Sequence, residues 1–104
     1  MATTPLKLVT IVAEPVLEPQ LVADLKQLGA TGWTILEGRG AGSRGMRASD
    51  PPGANVRVET IVTAAVADRV IERVMERYFP YYAVVCYVTT VEVVRGDKYA
   101  GPPR

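Results

Sequence analysis

TGWTILEGRGAGSRGMRASDPPGANVRVETIV, residues 31–62, is the stretch on which the fold depends. Both of its ends read as β-strands. Trp33–Glu37 is a short apolar and β-branched run. Asn55–Thr63 alternates, with Val56, Val58, Thr60 and Val62 on one face and Arg57, Glu59 and Ile61 on the other, which predicts a strand buried on one side. Between them lie residues 38–55, where a hairpin would need only about two to five residues. Connections that long inside a small domain are usually functional or disordered.

The connection spells GAGSRG, Gly40–Gly45, which matches the GxGxxG dinucleotide fingerprint letter for letter. In a dinucleotide fold the last glycine opens a helix whose N-terminus holds the pyrophosphate. Here MRASDPPGAN follows, and Pro51 and Pro52 do not let a helix continue. No Gly-Lys-Ser/Thr follows either, so both the Rossmann and the P-loop readings fail. The chemistry of the loop still favours anions. Its glycines allow backbone N–H groups to converge on an oxyanion, and Arg39, Arg44 and Arg47 offer charge-assisted forks. Three arginines against Asp50 give the loop +2, so with a net charge of +1 the other residues sum to −1. The cationic patch is local, and the chain is not a general polyanion binder.

Outward from this stretch, LKLVTIVA, residues 6–13, reads as a strand. EPVLEPQLVADLKQLG then places Leu17, Leu21, Val22, Leu25 and Leu28 on one helical face, with Asp24, Lys26 and Gln27 off it. Pro19 is tolerated in a first turn, and Gly29 suits the left-handed position after the helix. On the other side Thr63 is a candidate N-cap for AAVADRVIERVMERYF, whose stripe is Val66, Val70, Ile71, Val74 and Tyr78. Its charges, with Arg69–Glu72 and Arg73–Glu76 at i,i+3 spacing, predict a solvated face. Pro80 ends the helix, Ala83–Val94 is a long last strand, and residues 96–104 form a polar tail. The order is βαββαβ. It predicts an α+β, ferredoxin-like domain covering residues 1–104, two helices on one face of a four-stranded antiparallel sheet, with a long loop between strands two and three.

A chain of 104 residues leaves no room for a separate catalytic domain, and its core stays marginal unless further surface is buried in an oligomer. With no histidine, no paired carboxylates and no metal-ligand spacing, neither catalytic nor metal-binding residues are expected, nor a cofactor. The one cysteine, Cys86, lies in the apolar run AVVCYV and reads as a small buried hydrophobe. Together with the lack of a leader or spanning segment, this predicts a soluble, cytoplasmic protein. Trp33 and the cluster Tyr78, Phe79, Tyr81 and Tyr82 read as core or interface filler.

The Gly-x-Thr-Gly turn of LGATGWTILEGRG, the long Gly/Arg insert and Val58-Glu59 together resemble the PII family of signalling proteins over residues 6–95. The insert occupies the place of that family's T-loop. Two departures separate the chain from the nitrogen-sensing members. RYFPYYAVVCY replaces their glycine-rich phosphate-binding turn, and the loop has no tyrosine to modify. The loop is more similar to that of the PII-like proteins linked to inorganic-carbon uptake and carboxysomes, although YAGPPR lacks the cysteine pair some of those carry.

The resemblance implies a homotrimer with sheets lining its centre and ligand sites in the clefts between subunits. It implies regulatory ligands in place of a cofactor: an adenine nucleotide (AMP, ADP or ATP) and bicarbonate. Thr31 and Gly32 would lie near the adenine or ribose, with Glu59 and Ile61 lining the same pocket. Gly38, Arg39, Gly40, Ser43, Arg44 and Arg47 would form the phosphate-facing loop base, with Arg95 as a further basic partner. Arg47, Lys98 and Tyr99 are the candidates for bicarbonate. A bicarbonate transporter or a carboxysome component would be the protein partner. Two other readings compete: a structural trimer with no small ligand, and an RNA-binding ferredoxin-like module. RNA modules of this topology stack bases on aromatics of the central strands, and neither LKLVTIVA nor VRVETIV has one, so no nucleic-acid partner is expected.

Overall fold

The computed structural model describes residues 2–41 and 53–95. Strands β1 (Thr3–Ala13), β2 (Thr34–Arg39), β3 (Ala54–Val62) and β4 (Val84–Val94) form one antiparallel sheet in the order β2-β3-β1-β4. Helices α1 (Glu18–Leu28) and α2 (Ala64–Arg77) complete the βαββαβ arrangement read from the sequence.

The alternation in β3 sets the layering. Val56, Val58, Thr60 and Val62 are buried, and through the register Val9↔Thr60 and Ile11↔Val58 they share a face with Val9, Ile11 and Ala13 of β1. Leu17, Leu21 and Leu25 from the α1 side and Ala67, Val70, Val74 and Tyr78 from the α2 side close this core. Gly29 ends α1 at φ 106°, and the Thr63 hydroxyl caps α2 by accepting from the Val66 N–H at 3.3 Å. Cys86 packs against the core from β4, and burial pushes its thiol pKa up.

The opposite face carries no helix. By the same alternation it presents Leu36 of β2, Ile61 of β3, Leu6, Leu8 and Val12 of β1, and Val85, Tyr87, Val91 and Val93 of β4. Leu36, Val85 and Tyr87 lie 45–57% exposed, so apolar side chains of this face stand open to solvent in the single subunit.

Two sequence expectations are corrected. The charges of α2 are not all solvated. Arg73, instead of pairing with Glu76, turns towards α1, where its guanidinium donates to Asp24 at 2.6 Å and to Gln27 at 2.9 Å. The Tyr78 hydroxyl donates to the other Asp24 carboxylate oxygen. Asp24 and Arg73 are each only 15% exposed, so the pair forms a half-enclosed clamp between the helices. Burial first, and then the Asp24 carboxylate, push the Tyr78 phenol well above its usual range.

The loop is also shorter than residues 38–55. Gly38 pairs with Asn55 and Arg39 with Ala54, so the ladder takes two residues from each end. A Cβ at position 38 would lie 2.7 Å from Oδ1 of Asn55, so a side chain there would require the Asn55 carboxamide to turn aside. Among the described residues no helix is long and apolar enough to cross a membrane.

Candidate functional site

The β2–β3 ladder begins at Thr34↔Glu59. The preceding residues 31–33 leave the sheet edge, and a cleft of about 300 Å³ opens between them and β3. Leu8, Thr31, Gly32, Trp33, Thr34, Glu59, Thr60 and Ile61 line it. The departing backbone is tied back at one point, where the buried Thr60 hydroxyl donates to the Gly32 carbonyl at 2.6 Å. Gly32 has no heavy atom within 4 Å of where a Cβ would sit, and its φ lies outside the left-handed region. Sterics therefore do not demand glycine at 32, and its bare backbone leaves room beside the cleft.

Thr34, Glu59, Ile61 and Leu8 meet on the helix-free face, through the pairs Thr34↔Glu59 and Leu8↔Ile61. Glu59 is the charged group of the cleft lining; its carboxylate lies 3.9 Å from Arg57, and both side chains keep solvent access. Trp33 lies half-buried at the core edge, with the Lys26 ammonium 5.7 Å from its ring centroid.

Thr31, Gly32, Glu59 and Ile61, the base- and ribose-side residues of the sequence reading, come together here. Of the other predicted residues, those that the structure describes do not join them within the one subunit. Gly38, Arg39 and Gly40 sit at the far end of β2, roughly 13–20 Å along the strand direction from Thr34. There the Gly40 N–H donates to the Gly53 carbonyl at 2.7 Å, and Gly53 adopts φ 76°, pinching the loop at its neck. Arg39 falls on the face of Ile35 and Glu37, opposite to that of Thr34 and Gly38. Arg95 follows β4 on the other edge strand at φ 66° and is not part of the cleft lining. Ser43, Arg44, Arg47, Lys98 and Tyr99 lie outside the described residues.

Leu8, Trp33, Thr34 and Thr60 are cleft residues that the sequence reading does not select for the site; Trp33 reads there as core or interface filler. Thr60 leaves one signal in the chain: it is the single hydroxyl in the otherwise aliphatic stripe Val56, Val58, Val62. A larger groove, about 570 Å³, lies beside α1 and the turn after α2, lined by residues that include Asp24, Arg77, Tyr78 and Tyr81. Two of its polar groups, Asp24 and Tyr78, are engaged in the interhelical clamp. The smaller cleft, where Thr31, Gly32, Glu59 and Ile61 converge, is the better candidate. Among the described residues no group of three or more Cys, Asp or Glu is placed to hold a metal ion.

The family model of nitrogen regulatory protein P-II matches residues 6–98. This chain belongs to that family. Solved structures agree over nearly its whole length. A protein from Thermus thermophilus described as PII-like signalling is 57% identical, with a TM-score of 0.83 over 95% of this chain and 99% of the other. CPII from Thiomonas intermedia, in a structure with ADP, AMP and acetate, is 23% identical, with a TM-score of 0.82 over 95% of this chain and 98% of the other. The same CPII with ADP and bicarbonate is 24% identical, with a TM-score of 0.81 over 93% of this chain and 96% of the other. Within this family fold the cleft lies at the opposite end of β2 from Gly40 and Gly53.

Proposed function

We propose that this P-II chain is a regulatory sensor, not an enzyme, that binds an adenine nucleotide in the cleft between residues 31–34 and Glu59–Ile61. The observation that carries the reading is the convergence of Thr31, Gly32, Glu59 and Ile61 on that one cleft. The Glu59 carboxylate accepts hydrogen bonds from an amine such as that of adenine and repels phosphates. A nucleotide therefore lies with its base at Glu59 and its phosphates running along β2 towards the neck. There glycine backbone and the loop arginines supply the anion-binding chemistry.

The description of CPII structures with ADP, AMP and bicarbonate supports this ligand class, with bicarbonate as the second ligand. The helix-free apolar face supports a homotrimer in which the sheets meet and the cleft is completed by a neighbouring subunit. Ligand at the neck orders the loop, and the two loop states present different surfaces to a protein partner. That regulates only to the extent that the ligand binds the two states unequally. A cytoplasmic role in inorganic-carbon uptake, with a transporter or carboxysome component as partner, belongs to the same proposal.

Isothermal calorimetry with AMP, ADP and ATP, each with and without bicarbonate, tests it. Saturable heat with at least one nucleotide is expected; no heat with any of them at millimolar ligand leaves the structural-trimer reading in its place. The RNA reading gains nothing from the sheet. The central strands β1 and β3 carry no aromatic residue, and Tyr87 stands on the edge strand.

A further inference from the structure

Thr60 interrupts an aliphatic stripe. Val56, Val58 and Val62 share its face, and a valine at 60 would fill the same volume with more apolar contact. A buried hydroxyl is unfavourable unless it is hydrogen-bonded. Its bond goes to the Gly32 carbonyl, 28 residues away in sequence and beyond the last ladder pair, Thr34↔Glu59. The bond therefore does more than satisfy the hydroxyl. It holds backbone that has already left the sheet, at the point where its separation from β3 sets the width of the cleft.

We propose that Thr60 is a positioning residue for ligand binding: its hydroxyl holds the 31–33 turn at the spacing from β3 that the ligand requires. The proposal rests on the nucleotide reading of the cleft. Without the bond, the turn samples wider and narrower arrangements, and apparent affinity falls with the fraction of molecules in the competent one.

Thr60→Val removes the donor at nearly constant shape, and Thr60→Ser keeps the donor and loses the methyl. Two readouts apply to both variants. In ligand-free protein, acrylamide quenching of Trp33, the single tryptophan, reports how firmly the turn is held. Quenching is expected to rise in Thr60→Val and to stay at the parent level in Thr60→Ser. Calorimetry with ADP is expected to show about a fivefold to tenfold weaker Kd for Thr60→Val, the scale of one net hydrogen bond, with Thr60→Ser close to the parent. Unchanged Trp33 quenching in Thr60→Val, or a serine variant as impaired as the valine one, overturns the positioning role. A parent protein that binds no nucleotide overturns the reading of the cleft instead, and the quenching result distinguishes the two failures.

Discussion

Two glycines of the site region are predicted to respond to the same substitution with opposite sign. Gly53 sits at φ 76°, and a Cβ there would lie 2.8 Å from the Gly40 carbonyl oxygen. Left-handed backbone with a Cβ costs about 1–2 kcal/mol. The clash is with backbone, so its relief requires the neck to open, at the expense of the 2.7 Å bond from the Gly40 N–H to the Gly53 carbonyl. That bond is worth about 0.5–1.5 kcal/mol net. Alanine restricts the unfolded chain and returns about 0.4–1 kcal/mol. Gly53→Ala is therefore expected to lose about 2 kcal/mol, a fall in Tm on the order of 10 °C for a chain of this size. At Gly32 neither penalty applies, because φ lies outside the left-handed region and the space is open. Gly32→Ala is expected to gain about 0.4–1 kcal/mol, while its methyl beside the cleft weakens nucleotide binding. Thermal and urea unfolding at one fixed protein concentration measure both, since oligomer stability depends on concentration. A Gly53→Ala protein as stable as its parent, or a Gly32→Ala protein destabilised by more than about 1 kcal/mol, refutes the backbone reasoning at these two positions.

Asp24→Ala strips the interhelical clamp of its acceptor for both Arg73 and Tyr78. Gln27 still accepts from Arg73, so the expected loss is about 2–3 kcal/mol in urea unfolding, below the penalty for a fully buried pair. The same clamp makes stability depend on alkaline pH. The folded Tyr78 phenol titrates above its unfolded value near 10, so its contribution is complete below about pH 10 and is lost as pH rises beyond it. Unfolding curves at several pH values should show the decline, and Tyr78→Phe should flatten it.

The architecture was legible in the chain because its apolar periods are clean. Period-two burial in β3 and the stripe Val70, Val74, Tyr78 left few alternatives, and Gly29 and Thr63 marked helix boundaries by local chemistry that tertiary packing did not override. Arg73 was misread for a physical reason. An arginine on a helix reads as solvated until the neighbouring helix is in place, and Asp24 comes from 49 residues away. The loop bounds differ because Gly38 looks like loop composition, whereas in the structure the ladder runs through Gly38↔Asn55 to Arg39↔Ala54. Thr31, Gly32, Glu59 and Ile61 are grouped only through the resemblance to the PII family, not by any local pattern in the chain. Leu8 could not be added, because it joins them only through the β1–β3 register. Thr60 looked like an ordinary strand residue, since nothing local says that its hydroxyl reaches Gly32.

The most direct test of the central claim is a crystal structure of the full chain grown with ADP and bicarbonate. The account predicts density for the base between the 31–34 turn and Glu59–Ile61, with the phosphates directed along β2 towards Gly40. A nucleotide seated elsewhere, such as in the groove beside Tyr78 and Tyr81, or a cleft left empty at saturating ADP, would contradict it.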